Sequence, residues 1–133
     1  MILLTNTTEI LELLTTAATS TDYYISYVDI TTSAFTPAQA NGNIASATTT
    51  TILSAPASST QRQVKFISIR NRSTTASQTI TIKHDTSGTE RYITADITLA
   101  AGETLEYNDG TGFVIKNARG EARVADTTVI GTT

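Results

Sequence analysis

The sequence predicts an all-β domain, an antiparallel β-sandwich of about eight strands, and three observations predict it. The 133 residues include 29 Thr and 11 Ser, and Thr, β-branched and stiff at χ1, suits the solvent face of a strand. Apolar and polar residues alternate with period two in several segments, and turn clusters separate those segments at roughly 8–12 residue spacing. No period of roughly 20–50 residues repeats, which argues against a solenoid or propeller. The expected architecture is jelly-roll-like with N- and C-terminal arms: residues 1–20 as an arm or first strand, 21–117 as the sandwich, 118–133 as a tail or arm.

The elements follow in order. Between Thr7 and Thr19, Ile10, Leu11, Leu13 and Leu14 fit a short helix capped by Thr7 or Thr8. The alternation Ile10, Glu12, Leu14 and the pair Thr15-Thr16 fit a strand, which is the preferred reading. Asp22–Ile30 places Tyr23, Ile25 and Tyr27 on one side of a strand and Tyr24, Ser26 and Val28 on the other. Phe35–Ser59 holds both prolines, Pro37 and Pro56, and reads as a long loop with one strand near Thr49–Leu53. In Gln63–Asn71 the apolar parity changes from Val64 and Phe66 to Ile67 and Ile69, so either both faces are partly buried or a bulge near Phe66 shifts the phase. Gln78–His84 and Thr89–Thr94 flank Asp85-Thr86-Ser87-Gly88 and predict a hairpin. Short strands follow around Ile97–Leu99, Leu105–Tyr107 and Phe113–Ile115, and beyond Asn117 the alternation weakens.

Composition removes several function classes. There is no Cys, and His84 is the one histidine, which excludes thiol chemistry and a His-rich zinc site. A net charge of −3 with 16% charged residues lacks the basic footprint of a nucleic-acid binder. No apolar run reaches the roughly 18 residues of a membrane span, and Met1-Ile2-Leu3-Leu4 lacks the basic flank of a signal peptide. Ile, Leu, Val and Phe nonetheless make up about 23% of the chain, enough to fold.

Each cluster with chemical potential has a plainer explanation. His84 beside Asp85 has the residue types of a general base with an orienting carboxylate, but reads better as a strand-end histidine half covered by the sheet. Asp85-Thr86-Ser87-Gly88 lacks the spacing of an aspartic-protease loop and explains itself as a turn in which Asp caps and Gly supplies positive φ. Glu106-Tyr107-Asn108-Asp109-Gly110 gathers oxygen ligands suited to a hard cation, yet also forms an ordinary turn, as does Gly110-Thr111-Gly112. No catalytic residue, metal or cofactor is expected. Tyr23, Tyr24 and Tyr27 suit a core edge, a subunit interface or a sugar-binding platform. Arg62, Lys65, Arg70 and Arg72 form a mild basic stretch, either a solvated face or a contact for an acidic partner. Val124, Val129 and Ile130 are the apolar residues that the segment after Asn117 offers a neighbour. That segment, the apolar N-terminus and a charge-poor edge together predict a homo-oligomer.

Three stretches carry a family resemblance: Lys65-Phe66-Ile67-Ser68-Ile69-Arg70-Asn71, Thr79-Ile80-Thr81-Ile82, and Leu99-Ala100-Ala101-Gly102-Glu103-Thr104-Leu105-Glu106-Tyr107-Asn108-Asp109-Gly110 followed by Gly112-Phe113. With Ser26-Tyr27-Val28-Asp29, they resemble small β-rich virion proteins of tailed bacteriophages, over roughly Thr21 to Gly120. The resemblance implies a non-enzymatic virion structural protein, made in the host cytoplasm, with capsid decoration (cement) as the first expectation. The implied partners are the major capsid protein or other virion proteins and further copies of the chain, as a trimer because cement proteins commonly occupy three-fold positions. Neither nucleic acid nor membrane is an expected partner. A tail or fibre component, or a carbohydrate-binding host-adhesion module using the tyrosines, is the alternative. The residues proposed for contacts are therefore Tyr23, Tyr24, Tyr27, Arg70, Arg72, Val124, Val129 and Ile130.

Overall fold

The computed structural model describes residues 1–123. They form eleven strands and no helix. In chain order these are β1 (Ile2–Leu4), β2 (Glu9–Thr15), β3 (Thr21–Ile30), β4 (Phe35–Ile44), β5 (Thr49–Leu53) and β6 (Gln61–Asn71). Then come β7 (Gln78–Thr86), β8 (Thr89–Tyr92), β9 (Ile97–Leu99), β10 (Thr104–Asn108) and β11 (Gly112–Lys116). The strands build two antiparallel sheets packed as a β-sandwich. The six-stranded sheet runs β11-β10-β6-β3-β4, with β1 also on β6, and the five-stranded sheet runs β5-β2-β7-β8, with β9 also on β7. The chain changes sheet six times, among them from β2 to β3 and from β6 to β7, and these four strands pair as β2 with β7 and β3 with β6.

The core is made where the period-two alternation points inward. Leu11 and Leu13 of β2 and Ile80 and Ile82 of β7 meet Ile25 of β3, Ile67 and Ile69 of β6 and Leu105 of β10, all fully or almost fully buried. Each such side chain contributes about 1.5–3 kcal/mol by leaving water. The parity change in β6 has a local cause. Ser26 pairs with Phe66 and Tyr27 with Val64, so Lys65 is an extra residue at a bulge. Through it both Val64 and Ile67 reach the core, and of the two readings left open near Phe66 the bulge is the one present.

Two buried amides close the connections between sheets. Asn71, fully buried, donates from Nδ2 to the carbonyls of Ala76, Leu99 and Ala100 and accepts the Ser73 amide on Oδ1. Gln78, equally buried, donates to the carbonyls of Ala17 and Thr19 and accepts the amides of Thr16 and Ala17. At the opposite end Arg62 forms a two-pronged pair with Asp29 (2.8 and 2.9 Å), reaches the Ser54 carbonyl at 2.7 Å and lies over the Tyr27 ring.

Several expectations are corrected. There are eleven strands among the described residues where about eight were expected, because short segments such as β1 and β9 pair along parts of longer strands. Phe35–Ser59 is not one loop around a single strand: Phe35–Ile44 is a ten-residue strand paired with the whole of β3. Its Ala, Asn, Gly and Pro hid it, since an edge strand exposed on most of its length needs few apolar residues. Within Thr7–Thr19 the preferred strand reading holds as β2, but the face that turns inward is Glu9, Leu11, Leu13 and Thr15 rather than Ile10, Glu12 and Leu14. Residues 1–20 hold two strands, one in each sheet. The expected 85–88 turn is tighter than the sequence suggested: Ser87 and Gly88 alone link β7 and β8, both at positive φ, and Asp85 Oδ1 accepts the Gly88 amide.

Candidate functional site

The solvent face of the six-stranded sheet gathers the proposed contact residues that lie in the described chain, apart from two tyrosines. Register sets its rows: Asn41, Tyr24, Ser68 and Glu106 lie side by side across β4, β3, β6 and β10, next to Gln39, Ser26, Phe66 and Asn108. Tyr24 is 42% exposed, and its ring packs against Phe66 with centroids 6.4 Å apart. Asn41 donates to Gln39 at 2.7 Å, leaving the Gln39 amide N–H groups and the Asn41 carbonyl facing water. Tyr23 and Tyr27 lie on the opposite face and pack against the core. Tyr23 covers Gly42, where even a Cβ would fall within 3 Å of its ring and hydroxyl. The tyrosine cluster is thus split by strand parity, and Tyr24 alone is presented outward.

At one end of the same face, Asp22, Arg70 and Thr104 form the next row. Beyond it lies a pocket of about 280 Å³ lined by Arg70, Arg72, Ser73, Thr74, Ala101, Gly102 and Ala118. It sits where the turn after β6 meets the Leu99–Glu103 corner, which Asn71 ties together: the Gly102 amide donates to the Asn71 carbonyl, and the Asn71 amide to Glu103. Arg72 has one exposed, long contact with Asp22 at 3.4 Å. Arg70 has neither an ion-pair nor a hydrogen-bond partner among the described residues. The other cations at this end are matched: Lys116 with Glu106, Arg119 with Glu121 and Arg123 with Glu103. Val124, Val129 and Ile130 lie outside the described residues. The chain matches no protein-family model, no curated protein and no solved structure. The site is therefore read from its own geometry.

The other clusters resolve as follows. His84 pairs not with Asp85 but with Glu9: its Nε2 lies 2.6 Å from Glu9 Oε2, diagonally across β2 and β7. Burial alone would raise the Glu9 carboxyl, but hydrogen bonds from Thr5 and His84, with the His84 charge, outweigh it and hold it below the ordinary value. In the Glu106–Gly110 turn, Glu106 meets Lys116 at 3.1 Å and Asp109 meets Lys65 at 3.3 Å, so each carboxylate faces a cation of the chain itself.

Sequence reasoning missed one acidic group. Glu12, Asp85 and Glu90 offer carboxylate oxygens within 4.8 Å of one another on the outer face of the five-stranded sheet, with Lys83 Nζ 2.9 Å from Glu90. Glu12 Oε1 is buried without a hydrogen-bond partner among the described residues. Burial, and then the charges of Asp85 and Glu90, raise the Glu12 carboxyl above its ordinary value, so the cluster favours holding a proton. The signal was Glu12 standing between Ile10 and Leu14 on one strand parity. What it lacked was the partner strand that brings Asp85 and Glu90 alongside.

Proposed function

We propose that this chain is a structural protein of a bacteriophage virion, acting through contacts between subunits rather than through catalysis. Capsid decoration is the favoured role, with a tail or fibre component next. The observation that supports an assembly role is strand β4. It is a ten-residue outer strand with no charged residue, and it begins at Phe35, which is 65% exposed. Monomeric proteins commonly block such an edge with charge, whereas a subunit leaves it open for a neighbour. Pro37 lacks an N–H, so pairing with another copy would use the stretch from Ala38 to Ile44. That edge supports a closed homo-oligomer, while its being a trimer and the virion location rest on the phage resemblance alone. The jelly-roll description rests on the nested pairing of β2 with β7 and β3 with β6.

The deciding experiment is add-back of purified protein to particles lacking it, with electron microscopy to find added density on the shell. Density on the shell is the expected result; protein that stays free of particles at every ratio rejects the proposal. Light scattering tests the oligomer separately, since a dilute solution mass near the chain's 14.1 kDa rejects a stable trimer off the particle.

Tyr24 and Phe66, flanked by the Gln39 and Asn41 amides and the Ser26 and Ser68 hydroxyls, favour a second reading, adhesion to a host glycan. It predicts glycan-array binding that disappears in Y24A. Y27A, which alters a ring beneath Arg62 on the other face, would leave binding intact if the protein remains folded.

A further inference from the structure

We infer that the Arg70–Arg72 pocket is the point at which a partner protein inserts an acidic side chain. The inference rests on the reading of the six-stranded face as a contact surface and names the chemistry recognised at its end. Every polar side chain lining the pocket can donate there. The two guanidinium groups carry only N–H donors. Ser73 Oγ already accepts the amides of Thr75 and Ala76, which leaves its hydroxyl proton to point elsewhere. The Thr74 hydroxyl has no partner among the described residues. The remaining walls are Ala101, Gly102 and Ala118, and among the described residues no carboxylate lines the space. A pocket rich in donors and poor in acceptors is complementary to an oxyanion.

Two features select a carboxylate on a protein. Guanidinium binds carboxylate through two parallel N–H···O bonds, and among the described residues Arg70 is left unpaired at a place where every neighbouring cation has an acid. The chain as a whole carries −3, which repels a polyanion such as nucleic acid at long range while leaving one local charge pair intact. The Ala101, Gly102 and Ala118 wall also leaves room for the methylene stem of an Asp or Glu. Gly102 helps to make that room: its φ of +78° disfavours any side chain, and a Cβ there would come within 3.0 Å of Ala118.

The test uses the full chain and reads the arginine Nε–H resonances by nuclear magnetic resonance. The probes are an uncharged-ended acidic pentapeptide, acetyl-GDEDG-amide, and inorganic phosphate. The peptide should shift the Arg70 and Arg72 signals in a saturable way at millimolar concentration and leave Arg91 unmoved. Affinity should fall roughly tenfold in R70Q, the loss expected for a charge-assisted hydrogen bond, and should be unchanged in R91Q. Both positions are exposed, and the amide spectrum of each variant confirms that it is folded. Absence of any shift at Arg70 and Arg72, or tighter binding of phosphate than of peptide, overturns the inference. Add-back of R70Q to particles separates the two readings. If wild type binds particles and R70Q binds equally well, the pocket is not the partner contact. If neither binds while the peptide still does, the virion role fails and the pocket stands.

Discussion

At the scale of single residues, the buried Glu9 and the half-buried Glu12 titrate in opposite senses. The Glu9 carboxyl is depressed below its ordinary 4.5, so its pairing with Thr5 and His84 stabilises the fold above that value. This contribution is lost as the pH falls through the lower folded value. Glu12 is raised above 4.5: the folded state holds its proton more tightly, and ionised Glu12 therefore costs stability at neutral pH. E12Q, whose amide can donate to Asp85 or Glu90, should stabilise by about 1 kcal/mol at pH 7. The gain should shrink as the pH falls and Glu12 itself protonates. Urea melts at several pH values measure both effects; a destabilised E12Q at pH 7 refutes the account of that cluster. Asn71 stands at the other extreme, with its side chain serving three carbonyls and one amide inside the protein. N71A strands those groups and should cost about 3 kcal/mol, read from the shift in the urea midpoint.

At the scale of elements, the bulge in β6 lets one strand serve the core at both ends. Deleting Lys65 would join Val64 directly to Phe66, and one end of the strand would then turn its apolar residues to water. The deletion should abolish the dispersed amide spectrum of the folded protein. K65A keeps the extra residue and loses only the half-exposed contacts with Asp109 and Gln63, so it should stay within about 1 kcal/mol of wild type. A well-folded deletion variant would show that the register is not held by this residue. The β3–β4 hairpin depends in the same way on a small residue. In G42A the new methyl meets the Tyr23 ring, which must rotate away from where it packs, at a cost of about 1 kcal/mol.

At the scale of the whole molecule, the two sheets share one core, and the N-terminal residues are central to it. β2 lies between β5 and β7, and β1 completes β6 beside β10. Removing residues 1–20 therefore takes Leu4, Leu11 and Leu13 from the interior and divides the five-stranded sheet. The truncated chain should be unfolded by circular dichroism, with no residual cooperative melt. In the intact protein, unfolding followed by tyrosine fluorescence and by far-UV circular dichroism should coincide, as a single shared core requires.

Much of this was legible in sequence because strand parity is a local property. Ile80 and Ile82, the Ser87-Gly88 turn, the phase change at Phe66 and the shared side of Tyr23, Ile25 and Tyr27 all follow from steric alternation and turn chemistry over a few residues. Tyr24 and Tyr23 were separable on the same ground, as neighbours on opposite faces of one strand. What alternation cannot supply is the partner strand. That His84 meets Glu9 rather than Asp85, that Glu12 meets Asp85 and Glu90, and that Arg70 and Arg72 border one pocket with Gly102 depend on contacts between distant parts of the chain. Strand β4 escaped notice for a related reason: an outer strand is held by backbone hydrogen bonds to its neighbour, and those bonds leave little trace in side-chain hydrophobicity. The sequence by itself determined which side chains share a strand face, while pairing order and register, set by burial over the whole core, decided which face turns inward and which polar groups meet.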